Sequence, residues 1–391
     1  WEAAGRLRGR GVDLRAVTAW ALLGCYDWNS LLTRQAGHYE VGAFDVRSDP
    51  PRPTALAAEL KRLAAGGEVH SATAGPGWWR RDIRLQFRPV FRTVESPEPR
   101  LDVRTPPAAS RPLLIVGATG TLGKALARAC EWRGIDYRLT ARGDLSLDDA
   151  ASVARVLDEA QPWGVINAAG WVRVDDAEAD PAGCFAANAE GAVRLARACR
   201  DRGLPIMGFS SDLVFDGCTD RPYVESDAVG PLNIYGASKA RAEQEILALG
   251  GQALIVRTAA FFSAYDPHNF AAQVLRTLAA SQPFPAADDL TISPTYVPDL
   301  VDAVLDLMLD GDTGIRHLAN AGALSWADFA RAVARALDLD PGLVRGAKAA
   351  SFGWPAARPA FAALGTERGQ LMPPLENAIA RYAAVVRESQ F

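Results

Sequence analysis

Leu113-Leu114-Ile115-Val116, followed by Gly117-Ala118-Thr119-Gly120-Thr121-Leu122-Gly123, constrains this chain more than any other stretch. Four apolar residues in succession suit a parallel strand covered on both faces. The glycines at 117, 120 and 123 then meet three demands. One allows a tight turn, one lets a pyrophosphate approach the backbone, and one lets the next helix pack close to the strand. A helix over 124–133 points its N-terminus at the phosphates, where free N–H groups and the helix dipole favour an anion. The stretch reads as a dinucleotide site, with Gly117, Thr119, Gly120, Thr121, Leu122 and Gly123 as cofactor-binding candidates. The bland alternative is a strand–helix turn that binds nothing.

From residue 111 onward strand and helix patterns alternate. Strands are expected at 113–116, 137–140, 164–169, 205–211 and 253–258, and helices at 147–160, 184–202 and 235–249. Such alternation builds an α/β fold, a Rossmann-type doubly wound parallel sheet with ligands at the carboxyl ends of its strands. A smaller C-terminal substrate lobe is expected from about 262, with an amphipathic helix over 326–337 capped by Ser325. Trp326, Phe329 and Val333 read as core there. His268 and His317 read as structural.

The end of the second strand selects the cofactor. An acid there binds the ribose hydroxyls of NAD, and a base accommodates the 2′-phosphate of NADP. Thr140-Ala141-Arg142 offers Arg142 and no acid, which favours NADPH over NADH. Tyr235 and Lys239 stand four apart, on one helix face. Reducing a carbonyl requires a proton for the developing alkoxide, and a phenol is a poor acid at neutral pH unless a cation stabilises its phenolate. Lys239 can supply that charge, and Ser211, at a strand end, can hydrogen-bond the same oxygen.

The Gly-x-x-Gly-x-x-Gly spacing is that of the short-chain dehydrogenase/reductase superfamily. Val165 to Gly170, Val174-Asp175-Asp176-Ala177-Glu178, Asn188, Ser210-Ser211-Asp212-Leu213-Val214-Phe215-Asp216-Gly217, Tyr223-Val224-Glu225, Pro231 to Gly236, Arg257-Thr258, Asn269-Phe270, Ser293 to Val297, His317-Leu318-Ala319 and Arg358-Pro359 narrow the likeness. In order, they resemble the dTDP-4-dehydrorhamnose reductase family from about 112 to the end. The resemblance implies hydride transfer from NADPH to C4 of a dTDP-linked 4-keto-6-deoxy sugar, giving dTDP-L-rhamnose. It places Asp144 and Leu145 near the adenine, and Asn167, Ala168 and Ala169 along the cofactor. It puts Ser211 and Asp212 beside the keto group, joining Tyr235 and Lys239 as catalytic candidates. Asp175, Arg257, Asn269 and Arg358 become candidate substrate contacts, and a homodimer the implied assembly.

The chain departs from the family pattern at several places. Ser211 replaces Thr, Ala259-Ala260-Phe261-Phe262 replaces a Ser-Trp run, and Asp289-Leu290 replaces Asp-Gln. Lys124-Ala125 stands where an acid tied to Mg²⁺ and dimer contacts often follows the turn; no metal ligand set is read from the sequence, and Mg²⁺ stays open. Rival readings are a nucleotide-sugar epimerase or dehydratase and a non-catalytic NADP-binding regulatory subunit. Leu213 after Asp212 opposes a dehydratase, which carries Glu there, and the intact Tyr235–Lys239 pair opposes the regulator.

The 391 residues exceed one ordinary domain. Residues 1–65 form a first unit: a helix end over 1–9, a buried strand over 17–23, a loop over 25–29, a short strand over 41–46 and a helix over 53–65 with Leu56, Leu60 and Leu63 near one face. Ala19-Trp20-Ala21-Leu22-Leu23, Asp27-Trp28, Gly42-Ala43-Phe44-Asp45-Val46 and Arg52-Pro53 resemble the C-terminal end of a family 1 glycoside hydrolase. They amount to a truncated TIM-barrel-like segment, and the paired carboxylates of that chemistry are not in this chain. Asp27 and Trp28 read as bystanders. A glycosidase–reductase fusion is a third reading. Residues 66–110, rich in Gly and Pro, read as a linker with a half-exposed strand over 83–88 and an aromatic–basic patch at Trp78-Trp79-Arg80-Arg81. The net charge of −4 argues against a nucleic-acid partner. No apolar run reaches the roughly 18 residues of a membrane helix. Five scattered cysteines fit reduced thiols in a cytoplasm.

Overall fold

The computed structural model describes residues 1–28, 33, 39–67 and 111–389. The chain divides into two compact units, Trp1–Gly77 and Trp78–Phe391. The expected strand over 83–88, the aromatic–basic patch and most of the expected linker lie outside the described residues.

The first unit holds helix α1 (Glu2–Gly9), short strands β1 (Cys25–Tyr26), β2 (Tyr39–Glu40), β3 (Phe44–Asp45) and β4 (Arg52–Pro53), and helix α2 (Ala55–Ala64). β1 pairs antiparallel with β2, and β3 with β4. The buried strand expected over 17–23 is not formed. Residues 21–24 run alongside 42–44 through Phe44 N–H to Leu22 O and Gly24 N–H to Phe44 O, with Trp20 77% and Leu22 65% exposed. A barrel strand needs a strand on each side and a helix above it, and the described residues of this unit supply one partial neighbour. Of the strand expected over 41–46 only β3, Phe44–Asp45, is formed. Asp45 is fully buried between Arg47 and Arg52.

The second unit is the expected Rossmann-type fold. In chain order come β5 (Leu113–Val116), α3 (Thr121–Arg133), β6 (Tyr137–Thr140), α4 (Ala150–Ala160), β7 (Gly164–Asn167), α5 (Val174–Ala179), α6 (Pro181–Phe185), α7 (Gly191–Arg200), β8 (Ile206–Ser211), α8 (Ile234–Ala248) and β9 (Ala253–Thr258). They continue with β10 (Phe261–Phe262), α9 (Phe270–Ala279), β11 (Phe284–Ala287), β12 (Thr291–Ile292), β13 (Thr295–Tyr296), α10 (Val297–Leu309), β14 (Gly314–His317), β15 (Leu324–Ser325), α11 (Trp326–Ala336), β16 (Val344–Ala347) and α12 (Leu375–Ser389). Six strands form one parallel sheet in the order β14-β9-β8-β7-β5-β6.

The apolar runs are explained by two covered faces. Leu113, Ile115, Ile166 and Val256 pack with α3 and α10 on one side. Leu114, Val116, Val165 and Ile255 pack with α4, α7 and α8 on the other. Alternate residues of each strand thus enter separate cores. The order reverses at β5, whose neighbours are β6 and β7, so the crevice opens at the carboxyl ends of β5 and β7.

The helix expected over 184–202 is interrupted. α6 passes into a π-helical stretch, Ala186–Glu190, before α7 begins. The helix expected from 147 starts at Ala150, where Asp149 accepts the Ala151 N–H. The C-terminal lobe packs around Phe262, Phe329 and Tyr382, with Ser325 capping α11 as expected. Within that region the chain returns once to the large sheet, through α10 and β14.

Candidate functional site

The three glycines behave differently in space. Gly117 has φ +112°, and a Cβ there would lie 2.8 Å from the Ala168 carbonyl carbon and the Ala169 nitrogen. Only glycine lets this turn press on the end of β7. A Cβ on Gly123 would fall 2.0 Å from the Gly117 oxygen, so α3 sits directly on the turn. Gly120, the N-cap of α3, has its nearest neighbour at 3.6 Å and makes no side-chain cap bond. The open space and the uncapped N–H groups coincide there, and Thr119 and Gly120 are exposed. These residues fit a dinucleotide pyrophosphate.

The Thr121 hydroxyl donates to Asp266 Oδ2 at 2.7 Å, so a carboxylate from a loop 145 residues away in sequence reaches the first turn of α3. Arg142 is exposed just beyond the end of β6. Asp144 accepts the Ala141 N–H at 2.9 Å and shapes that turn. Leu145 is 2% exposed and packs with Leu114, Val116 and Val153. Its side chain therefore belongs to the core and does not face a ligand, a correction to the expected cofactor contact. Asn167 Oδ1 accepts the Ala169 N–H at 3.1 Å.

A cleft at the strand ends is lined by Leu122, Asn167, Ala169, Ser210, Tyr235 and Lys239, with Ala168 among its walls. Ser211 ends β8. Its Oγ donates to Asp212 Oδ1 at 2.8 Å and accepts the Leu213 N–H at 3.1 Å. Asp212 is 6% exposed, and burial pushes its carboxyl up to about 7.

Helix α8 carries Tyr235 in its first turn. Asn233 caps it by accepting the Gly236 N–H at 2.7 Å and donates to Ala357 O at 2.7 Å. Glu178 accepts the Ile234 N–H at 2.8 Å. A Cβ on Gly236 would meet Leu213 O at 2.1 Å, so this glycine brings the helix start down onto the Asp212–Val214 turn. Burial and the Asp212 charge raise the Tyr235 phenol, while a hydrogen bond with Ser211 lowers it; the net direction is up. Lys239 Nζ donates to Phe209 O at 3.1 Å and lies 5.7 Å from the Tyr235 ring centroid. Burial pulls its ammonium down to about 8.

Two groups in this cleft were not singled out as site residues in the sequence. Asn188 sits in the π-helical stretch, accepts the Trp171 N–H at 2.8 Å and donates to Ser238 Oγ at 3.0 Å. The Ser210 hydroxyl is buried and has no hydrogen-bond partner among the described residues. It is a polar group for which the fold itself supplies nothing to bind.

The four expected substrate contacts divide. Asp175 and Arg358 come together as a two-pronged ion pair at 2.6 and 2.7 Å. Arg257 is 3% exposed, forks onto Glu243 at 2.7 and 2.9 Å and lies 3.3 Å from His317 Nε2. It is a buried tie between β9 and α8 and does not face the cleft. Asn269 caps α9 and holds the Ser263 and Asp266 carbonyls, so its amide is spent on the loop itself. These two placements correct the expectation. Among the described residues no cluster of three or more His, Cys, Asp or Glu is set to hold a metal ion, and no helix is long and apolar enough to cross a membrane.

Residues 111–385 match the family model described as RmlD substrate binding domain. A dTDP-4-dehydrorhamnose reductase from Streptomyces griseus is 36% identical over 261 residues, covering 65% of this chain and 86% of that protein. A dTDP-4-keto-6-deoxy-D-glucose reductase from Streptomyces niveus is 35% identical over 255 residues, covering 64% of this chain and 88% of that protein. Among solved structures, dTDP-4-dehydrorhamnose reductase from Bacillus anthracis str. Ames in complex with NADP superposes with a TM-score of 0.67 at 29% identity, covering 70% of this chain and 98% of that one.

Proposed function

The chain belongs to the RmlD substrate binding domain family, and on that premise we propose how its own residues carry out the reaction. It is an NADPH-dependent reductase acting on the C4 keto group of a dTDP-linked 4-dehydro-6-deoxy sugar, turning dTDP-4-dehydrorhamnose into dTDP-L-rhamnose. The observation that carries the assignment of roles is that Tyr235 and Lys239 line one cleft with Leu122 of the glycine turn and Asn167, Ala168 and Ala169 at the end of β7.

Gly117, Thr119, Gly120, Thr121, Leu122 and Gly123 hold the pyrophosphate, and Arg142 faces the 2′-phosphate. Asn167, Ala168 and Ala169 line the nicotinamide half. A bound NADPH supplies the hydride. Tyr235 gives its phenolic proton to the C4 oxygen, and Ser211 steadies that oxygen. Lys239, still mostly protonated at pH 7 with its value near 8, places a positive charge by the ring and favours the phenolate left behind. The Asp175–Arg358 pair stands as the candidate contact for the nucleotide sugar. We place the reaction in the cytoplasm, supported by five unpaired cysteines. We also carry a homodimer as a proposal resting on the family resemblance, with sedimentation equilibrium as its check.

The test is NADPH consumption with dTDP-4-dehydro-6-deoxy-L-mannose, comparing the native chain with Tyr235→Phe. Loss of about two to four orders of magnitude in kcat, with NADPH binding retained, is the expected result. An unchanged rate removes Tyr235 as the proton donor.

A further inference from the structure

Arg358 is held on two sides by the protein itself. Its Nη1 and Nη2 donate to Asp175 Oδ1 and Oδ2 at 2.7 and 2.6 Å, and Nη1 also donates to Ala356 O at 2.6 Å. Asp175 accepts the Ala356 N–H at 3.2 Å as well, so the carboxylate fixes the backbone beside Arg358 together with its side chain. The guanidinium carbon stands 4.5 Å from the centroid of the Trp354 ring, and Phe352 stacks on Trp354 in turn, 4.7 Å away with 11° between the planes. A guanidinium has five N–H groups, and three are spent on these partners. The Nε–H and one Nη2–H meet no acceptor among the described residues. Those two share one edge of the plane and make a second fork.

Location assigns the ligand. Asn233, two residues before Tyr235, donates to Ala357 O at 2.7 Å, and Glu178 of α5 accepts the Ile234 N–H at 2.8 Å. Arg358 and Asp175 therefore stand by the start of α8, and neither is among the residues that line the cleft. A sugar whose C4 meets Tyr235 carries its diphosphate on C1, across the ring, so the phosphates extend out of the cleft. The cofactor's own phosphates fall to the glycine turn after β5 and to Arg142 beyond β6. Asp175 follows β7 and Asn233 follows β8, on the other side of the crevice. The free fork thus serves the second ligand.

We propose that the free edge of Arg358 binds the diphosphate of the nucleotide sugar, with Trp354 and Asp175 as positioning residues that hold the guanidinium plane. The reading rests on the reductase role given above and adds the group that grips the far end of its substrate. Two N–H groups in one plane match two phosphate oxygens, a fit that an ammonium lacks. The side chains of Arg358, Asp175 and Trp354 are partly exposed, so a ligand can reach them. Asp175 takes a different edge of the guanidinium, and within the pair it supports Arg358 and does not touch the sugar. Holding the plane by a ring on its face and a carboxylate on its end removes freedom that a loose Arg would lose on binding.

The experiment compares the native chain with Arg358→Lys, Trp354→Leu and Trp354→Phe. It measures KM and kcat for dTDP-4-dehydro-6-deoxy-L-mannose, and the affinities for NADPH, dTDP and dTMP. The native chain binds dTDP more tightly than dTMP. Arg358→Lys keeps the charge and loses the fork, so KM rises about 10- to 100-fold and the preference for dTDP over dTMP collapses. The loss falls on KM and not on kcat, as expected for a contact remote from the reacting atoms. Trp354→Leu raises KM about 2- to 5-fold, and Trp354→Phe, which keeps an aromatic face, recovers most of that. NADPH affinity stays within about twofold in all four, which separates the effect from misfolding. A native-like KM in Arg358→Lys overturns the fork, and a native-like KM in Trp354→Leu overturns the role of its support. If no dTDP-sugar is reduced but the dTDP preference is present and disappears in Arg358→Lys, the reductase reading fails and the diphosphate site stands. If the sugar is reduced and the preference survives in Arg358→Lys, the diphosphate site alone fails.

Discussion

Two stretches of this chain look alike on paper, 17–28 and 113–123. Each opens with a run of apolar residues and ends in a turn whose backbone enters positive φ, at Asp27 (+56°) and at Gly117 (+112°). Their fates differ. Leu113, Leu114 and Ile115 are wholly buried, whereas Trp20, Leu22 and Leu23 are 77%, 65% and 51% exposed. Apolar residues do not make a strand by themselves. Leu113–Val116 has β6 and β7 hydrogen-bonded on its two edges and a helical layer on each face. Residues 21–24 have part of one edge satisfied by 42–44. The difference lies in partners, and partners come from elsewhere in the chain.

The sharpest test of that contrast is Ile115→Ala. It removes a buried side chain from a core that sheet and helices enclose, and should cost about 2–5 kcal/mol in the denaturation midpoint of the second unit. A cost below about 1 kcal/mol would mean that this strand is not enclosed as described.

This contrast also shows what was legible in the sequence. Strands buried on both faces leave long apolar runs, so five of the six strands of the sheet could be read near their observed bounds, and the sixth, the edge strand β14, was not read. The Tyr235–Lys239 spacing could be read because i and i+4 share a helix face. Glu243, a further four residues on, lies on that same face, but its pairing with Arg257 joins α8 to β9 and depends on the fold. Other features had no local signal. The π-helical stretch that carries Asn188 is one extra residue in a turn, and no residue pattern announces it. Asp266 meets Thr121 only because the fold brings residues 145 positions apart together. Leu145 was assigned by its place in a motif, while its burial depends on Val153 and Val156 of α4.

The turns can be compared in the same way. Gly123→Ala would set a Cβ against the Gly117 carbonyl. Overpacking of this kind costs about 1–3 kcal/mol and lifts α3 from the turn, so NADPH affinity should fall with stability in a titration of cofactor fluorescence. Gly120→Ala, where the space is open in the free chain, should leave stability within about 1 kcal/mol and weaken NADPH alone. If both glycines affect stability equally, the division between packing and ligand access is wrong.

Where the first unit is held, a charge does much of the holding. Asp45 is buried, with Arg47 at 2.9 Å and Arg52 at 3.2 Å. Burial alone would raise its carboxyl, but the hydrogen bonds and charge of Arg47 outweigh that and hold it at about 2. A carboxyl held below its unfolded value stabilises the fold above that unfolded value, near pH 4, and the gain is lost as pH falls through about 2. The expected loss is about 2 kcal/mol. Hydrogen exchange at Arg47 N–H, bonded to Asp45, and at Val46 N–H, bonded to the Tyr39 hydroxyl, should report it. Exchange that stays slow at pH 2 would show that the hairpin is held by something other than this pair. The apolar core around Ile115 has no such acid dependence.

The smallest effect belongs to the exposed run itself. Leu22→Ser and Trp20→Ser remove apolar surface that already faces water, so each should shift stability by no more than about 0.5 kcal/mol. The backbone link from Phe44 N–H to Leu22 O does not depend on the side chain and should survive. Solubility should rise, because a contiguous apolar patch favours association. A cost above about 1 kcal/mol for Leu22→Ser, read by denaturation of the full chain, would show that this face is covered in solution. The first stretch would then resemble the second in the one respect that separates them here, the possession of a partner.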